Sequence, residues 1–130
     1  MSIESKTIAV DFDGTTVSDA FPDVGFEIGA EAVLRDLAAA GRKIIIWTVR
    51  SDATLAPVLE WYKQRKIKYY AVNRNPDQAE FSTSGKVIAH AYIDDRSIGC
   101  PKIKLPGIDK PAVDWIKVRA YLVAEGYLQR

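Results

Sequence analysis

The 130-residue chain has the length of one domain, and its 48% hydrophobic and 27% charged residues are typical of a soluble globular protein. A net charge of +1 gives no reason to expect a nucleic-acid or membrane partner for the chain as a whole. The single cysteine, Cys100, excludes an internal disulfide and favours a reducing compartment. No apolar run approaches the roughly 20 residues of a membrane span, and residues 1 to 7 contain no apolar signal region, so we expect a cytoplasmic protein.

The first predicted element is a buried strand, Thr7 to Val10, whose β-branched apolar residues are typical of a parallel sheet. It continues into the sequence Asp-Phe-Asp-Gly-Thr-Thr, which begins at Asp11. Alternate residues of an extended chain share a face, so Asp11 and Asp13 should point one way and Phe12 into the core. Gly14 permits a sharp turn. An ordinary acidic turn is one interpretation. The other is a site for a hard cation, in which one acid serves as a nucleophile.

The remaining predicted elements alternate along the chain. They are, in order, a loop or short hairpin at 17–28, a helix from Ala30 that stops at Gly41, a strand at 43–49, a helix capped by Ser51, Asp52 or Thr54, a strand at 68–72, a loop at 73–85, a short helical segment at Lys86, a strand at 89–93, a weaker strand at 102–105, and a helix with Pro111 in its first turn and Gly126 as its stop.

Two details of this pattern are specific enough to be tested by a structure. Pro57 is acceptable only in a first helical turn, so the second helix should begin later than its caps indicate. The last helix should bury the apolar residues that share its helical spacing, which are Ala112, Ile116, Ala120 and Val123. Strands that alternate with helices predict a single α/β domain with a three-layer Rossmann-like fold, a parallel sheet, right-handed crossovers and helices on both faces.

Polar side chains follow three of the predicted strands: Asp11, Asp13, Thr48, Asp94 and Asp95. The carboxyl ends of parallel strands meet at one edge of a sheet, so we expect these groups to lie close together. Two carboxylates about 5 Å apart repel each other by roughly 3 kcal/mol at an effective dielectric near 20. The site therefore needs positive charge. Lys86 supplies one charge, and Mg²⁺ suits carboxylates together with a substrate phosphate.

These motifs resemble those of the haloacid-dehalogenase-like superfamily of aspartate-nucleophile phosphohydrolases. Asp11-Phe-Asp-Gly-Thr is similar to the first motif of that superfamily, Ile44-Ile-Ile-Trp-Thr48 to the second and Ile93-Asp-Asp95 to the fourth, while Lys86 occupies the place of the third-motif lysine. The resemblance covers roughly residues 6 to 100 and is greatest for small members without a cap domain. A cap needs about 50 residues or more, and neither gap between motifs has room for one. The site should therefore be open, unless a second copy of the chain covers it.

The resemblance implies a two-step hydrolysis of a phosphate monoester. Asp11 would attack phosphorus and form an aspartyl-phosphate, and Asp13 would act as general acid and then as general base. Thr48 would bind phosphoryl oxygens, and Lys86 would stabilise the charge on Asp11 and on the transferring group.

The resemblance also implies which groups hold Mg²⁺. These are Asp11, the backbone carbonyl of Asp13 and an acid of the Asp94/Asp95 pair, with Asp95 favoured as the direct ligand. Backbone amides around the first motif would hold phosphate oxygens. The candidate substrate contacts are Phe12, Gly14, Thr15, Arg50 and Arg96. For the two arginines, solvated ion pairing is the alternative.

Two other functions stay open. One is a non-catalytic or regulatory module that binds phosphate or Mg²⁺, such as a receiver domain. A receiver carries its phosphorylated aspartate after the third strand, where this chain has Val72 and Asn73, and the presence of Asp13 favours catalysis. The other is a nucleotide or nucleic-acid-end phosphatase, which the basic segment Lys63 to Lys68 indicates weakly, because such residues usually stabilise a helix terminus. The expected partner is an accessible phosphorylated substrate, with no membrane partner and with nucleic acid as the disfavoured alternative.

Overall fold

Four parallel strands form the central sheet of the computed structural model, which describes residues 6–130. Their order across the sheet is β3-β2-β1-β4, and their bounds are β1 Thr7–Asp11, β2 Lys43–Trp47, β3 Ala71–Val72 and β4 Ala91–Ile93. The other elements are the helices α1 Ala30–Ala39, α2 Asp52–Gln64 and α3 Trp115–Ala124, a 3₁₀ helix Pro76–Glu80, and the antiparallel pair β5 Lys102–Ile103 and β6 Ala112–Val113. None of the helices in residues 6–130 has the length and apolar character needed to cross a membrane.

The two faces of the sheet are covered differently. Alternate residues of β1, Ile8 and Val10, pack with the fully buried Phe12 and with the apolar sides of all three α-helices. On the opposite face, Ala9 and Ile45 pack against Val87. This second layer is thin, because the crossover from β3 to β4 contains only the 3₁₀ helix. The predicted α/β class with a three-layer Rossmann-like arrangement is confirmed.

The strand order positions the functional edge of the sheet. The chain passes from β1 to β2 to β3 in one direction and then returns to place β4 on the other side of β1. Such a reversal opens a crevice at the carboxyl ends of the two strands beside it. Asp11 ends β1, and Asp94 follows β4 directly, so both acids lie at this crevice.

Helix α2 begins at Asp52, earlier than Pro57 predicts. The amide of Ser51 donates to Thr54 Oγ1 at 3.0 Å, and the amide of Thr54 donates to the carbonyl of Ser51 at 3.0 Å, which fixes the first turn. Pro57 lies inside the helix and cannot donate to the carbonyl of Ala53. Ala53 is exposed, so water can satisfy that carbonyl, and the expectation of a later start was wrong.

The final helix also differs from its prediction. Pro111 precedes β6, where Ala112 pairs with Ile103, and α3 starts only after Asp114, whose carboxylate accepts from the amides of Ile116 and Lys117. The shift changes the buried face. The buried residues are Trp115, Val118 and Leu122, whereas Ile116 is 85% exposed and Ala120 is exposed. Pairing of β6 with β5, the strand just before it in the chain, overrides the helical pattern here.

Residues 86–90 are not helical, so the short helical segment predicted at Lys86 was wrong. The helical turn lies earlier, where the Asn75 side chain accepts from the Asp77 amide and Pro76 occupies the first position. The side chain of Gln78 then holds the following segment in extended form, donating to the Lys86 carbonyl at 2.9 Å and accepting from the Ile88 amide at 2.9 Å.

Candidate functional site

Three carboxylates from two strands meet at the crevice. Asp11, Asp94 and Asp95 each offer an oxygen, and these oxygens all lie within 4.8 Å of one another. All three side chains are partly buried, so water screens their repulsion only in part. The convergence of residues 11, 94 and 95, expected from the parallel topology, is therefore present in the structure.

The crowding changes the acidity of Asp11. Its pKa is raised from 3.8 to about 8, first by burial, then by the hydrogen bond to Asp95 and by the negative charge of Asp94. The Thr15 hydroxyl and the Phe12 amide act in the opposite direction. Without a cation, this cluster therefore retains a proton at neutral pH, and a bound cation would displace it.

In metal-free protein, we expect the free energy of unfolding to fall as the pH rises from about 4 to about 8. Asp11 ionises near 3.8 in the unfolded chain but keeps its proton up to about pH 8 in the folded protein. The folded state therefore binds more protons across this interval, and raising the pH favours unfolding. Urea unfolding in chelator near pH 5 and about pH 9 measures the effect. Asp11→Asn should reduce this pH dependence. An identical pH dependence in the two proteins would contradict the shifted pKa.

The hydroxyl of Thr15 lies between two of the acids. It is 3.0 Å from Asp11 Oδ2 and 2.9 Å from Asp95 Oδ1, and it accepts from the Asp95 amide at 2.9 Å. Its single proton serves one carboxylate at a time. Gly14 also lies beside Asp95. Its φ is +82°, and a Cβ atom added at this position would stand 2.7 Å from Asp95 Oδ2. Thr15 and Gly14 are both buried, and both lie beside the carboxylates of the acidic cluster.

The amides of the acidic turn are engaged within the protein. Those of Gly14 and Thr15 donate to the carbonyls of Val17 and Phe12, and the Phe12 ring is fully buried. Trp115 Nε1 donates to the Thr15 carbonyl at 2.7 Å and ties the turn to α3. The Gly14 and Thr15 amides therefore fix the turn, and the substrate contacts expected at Phe12, Gly14 and Thr15 stay a prediction.

Asp13 lies apart from the other acids, in a bidentate ion pair with Arg50. Its two oxygens accept from Arg50 Nε at 2.8 Å and from Nη2 at 2.7 Å. The other three N–H groups of Arg50 donate to the carbonyls of Pro22 at 3.0 Å, Thr54 at 2.9 Å and Asp23 at 2.7 Å. All five donors of this guanidinium are thus used, and its side chain has no exposed surface.

This pairing bears on two sequence-based assignments. All five donors of Arg50 are used within the protein, which is the ion-pairing alternative in buried form, and the phosphate contact at this residue stays a prediction. Arg50 anchors the loop at 17–28 to the acidic turn. Asp13 retains a 15% exposed side chain, and each of its oxygens keeps a further lone pair beyond the bond from Arg50.

The acids open onto a cleft of about 420 Å³. Its lining comprises five acidic residues, two basic residues and two apolar residues: Asp11, Asp13, Asp19, Asp94, Asp95, Arg96, Lys110, Phe21 and Val49. Arg96 therefore lies where a substrate contact was expected. Arg50 pairs with Asp13 and Lys110 with Asp19, so the excess negative charge of the cleft lies at Asp11, Asp94 and Asp95, where it favours a bound cation.

Thr48 and Lys86 do not line this cleft. The Asn73 side chain holds Thr48 by its backbone amide and carbonyl, both at 2.8 Å, and the Thr48 hydroxyl accepts from the Arg50 amide at 3.1 Å. Lys86 is exposed. The lysine at the cleft is Lys110, which pairs with Asp19 at 3.2 Å. Lys110 lies after the last sequence motif. No local sequence pattern identifies Lys110, Phe21 or Val49 as a residue of the cleft.

Comparison with known proteins identifies a relative without a named function. No protein-family model and no curated protein matches this chain. A solved structure of a conserved protein from Bacteroides thetaiotaomicron is similar to it, with a TM-score of 0.73, 32% sequence identity and an alignment that covers 94% of this chain and 91% of that one. This degree of identity extends over nearly the whole length of both proteins. The chain therefore belongs to the same family as this conserved Bacteroides protein.

Proposed function

We propose that this protein is a Mg²⁺-dependent phosphohydrolase of the haloacid-dehalogenase-like type that hydrolyses phosphate monoesters through an aspartyl-phosphate on Asp11. The observation that carries the proposal is the convergence of the Asp11, Asp94 and Asp95 carboxylates within 4.8 Å. Mutual repulsion makes such a cluster costly unless a cation binds there. The order of the motifs along the chain supports the same reaction.

The donor set fits Mg²⁺. All three groups are carboxylates, the hard oxygen ligands that Mg²⁺ binds together with phosphate oxygens. Hydrogen bonds already orient two of them, since Asp94 Oδ1 accepts from the Arg96 amide at 2.9 Å and Asp95 accepts from Thr15. Asp11, Asp94 and Asp95 would hold the ion, with Asp95 favoured as a direct ligand and the Asp13 carbonyl as a further one. Bound there, Mg²⁺ would neutralise charge on the phosphoryl oxygens.

The protein's own residues would carry the two chemical steps. An Asp11 oxygen attacks phosphorus while the bond to the leaving-group oxygen breaks, and water then attacks the aspartyl-phosphate and releases inorganic phosphate. Asp13 would give a proton to the leaving oxygen and later take one from water.

The decisive measurement is release of inorganic phosphate from an aryl phosphate, with Mg²⁺ and with chelator. Multiple turnovers that require Mg²⁺ support the proposal.

A non-catalytic phosphate-binding or regulatory module is the second candidate. The Asp13–Arg50 ion pair favours it, because that pair serves the fold whether or not Asp13 transfers protons. Stoichiometric phosphorylation by a small phosphodonor, without turnover, would identify the module and refute the hydrolase.

Lys110→Ala is expected to lower kcat/KM by about 10- to 100-fold, because Lys110 supplies a positive charge at the cleft next to the acids. Lys110→Arg keeps the charge and should retain most of the activity. Lys86→Ala is the matched comparison, since motif order assigns the same role to Lys86. Steady-state kinetics of the three variants decide between the two lysines. A larger loss in Lys86→Ala than in Lys110→Ala would restore the assignment made from motif order.

We propose that the protein is cytoplasmic, in keeping with the single Cys100. We propose that its partner is a phosphorylated substrate that can enter the open cleft. The nucleic-acid alternative gains little from the basic segment at 63–68. Arg65 is engaged within the protein, since it pairs with Glu31 at 3.1 Å and lies over the ring of Trp61.

A further inference from the structure

Two apolar side chains stand exposed in the acidic cleft. Phe21 is 51% exposed and Val49 is 93% exposed, and both line the cleft that contains the Asp11 carboxylate. Single exposed apolar residues are common on protein surfaces. Phe21 and Val49 are the two apolar residues among those that line this cleft, and together they are called the Phe21/Val49 wall.

The backbone that carries the Phe21/Val49 wall is held firmly. The Phe21 ring lies over the Arg50 guanidinium, with 5.0 Å between its centroid and the guanidinium carbon, and the next two carbonyls of its loop accept from the same guanidinium. Val49 lies between Thr48, which the Asn73 side chain holds, and the buried Arg50. The wall is therefore formed before any ligand arrives, as in preorganised binding sites.

We infer that the Phe21/Val49 wall binds the organic part of the substrate, and that this part is a planar apolar group such as an aryl ring; this inference rests on the proposed phosphohydrolase function. The hydroxyl groups of a polyol or sugar would gain no hydrogen bond from Phe21 or Val49 and would have to reach the charged residues of the cleft instead. An aromatic ring would lose no hydrogen bonds there and would gain contact with the Phe21 ring. Phe21 and Val49 are thus specificity-determining residues.

Two phosphonates that resist hydrolysis test this inference without requiring turnover. Phenylphosphonate and methylphosphonate carry the same anionic head group, and only the first has a ring. Titration calorimetry with Mg²⁺-loaded protein should give about tenfold tighter binding of phenylphosphonate. Phe21→Ala and Val49→Ser should each reduce this preference several-fold and leave methylphosphonate affinity unchanged. Phe26→Ala is the matched control, because Phe26 belongs to the same loop, is 71% exposed and does not line the cleft.

Each outcome separates the two proposals. Equal affinity of wild-type protein for both phosphonates would overturn the wall and leave the hydrolase standing. An equal effect of Phe26→Ala and Phe21→Ala on the preference for phenylphosphonate would also overturn the wall and leave the hydrolase standing. A preference for phenylphosphonate without any phosphate release from an aryl phosphate would sustain the wall and refute the hydrolase. Absence of binding by either phosphonate would overturn the wall, and phosphate release alone then decides on the hydrolase. Val49→Ser keeps the test decisive if Phe21→Ala unfolds, since Val49 is almost fully exposed.

Discussion

Replacing Asp11 by asparagine is expected to lower kcat for Mg²⁺-dependent phosphate release by about 10³-fold or more. The amide is nearly isosteric with the carboxylate but cannot form the phosphoryl intermediate. The substitution also removes one charge from a cluster whose crowding already raises the pKa of Asp11 to about 8. The variant should therefore fold at least as well as the wild type at neutral pH, so that lost activity reports chemistry.

The control for this experiment is another surface acid. Asp36 pairs with Arg119 at 2.8 Å and does not line the cleft, so Asp36→Asn should leave turnover unchanged. Mass spectrometry after an acid quench should find phosphate on the Asp11 peptide of wild-type protein and none in Asp11→Asn. Turnover by Asp11→Asn within about tenfold of wild type would refute the covalent mechanism.

Replacing Arg50 by methionine is expected to lower the free energy of unfolding by about 3–5 kcal/mol, the usual cost of removing one partner from a buried ion pair. Methionine fills much of the same space but donates none of the five hydrogen bonds. Asp13 and three backbone carbonyls then lose their donors. Such a loss is a large fraction of the total stability of a small domain. Urea unfolding measures it.

Arg119→Met is the matched control, because that arginine forms a partly exposed ion pair with Asp36. We expect it to cost less than about 1 kcal/mol. Adding Asp13→Asn to Arg50→Met removes the unpaired carboxylate and should recover about 1 kcal/mol or more. If Arg50→Met cost no more than Arg119→Met, the buried pair would not be the anchor of the loop at 17–28.

Local patterns were sufficient for much of this fold. β1 and β2 carry runs of β-branched residues that only a buried parallel strand accommodates well, and α1 carries its apolar residues at helical spacing. The meeting of Asp11 with Asp94 also follows from sequence, because parallel strands bring their carboxyl ends to one edge whatever the details of packing. Pattern and topology together therefore predicted the acidic cluster.

Other features depend on contacts that the pattern within one element does not contain. Whether Asp13 faces a substrate or a guanidinium was decided by Arg50, 37 residues away, and both possibilities suit an acid after a strand. The start of α3 was decided by β-pairing of Ala112 with Ile103, against a periodicity that favoured an earlier helix.

By itself, then, the amino-acid sequence determined the parallel α/β fold and the acids at its edge, because hydrophobic period is a local property and strands that alternate with helices run parallel. Only the tertiary structure decided the lining of the cleft, in which Lys110 and Phe21 face the acids while Lys86 does not. The physical reason is that loop side chains take their positions from contacts with distant segments, such as the bond from Trp115 to Thr15 across 100 residues. The spacing of residues within one segment does not specify such contacts between segments.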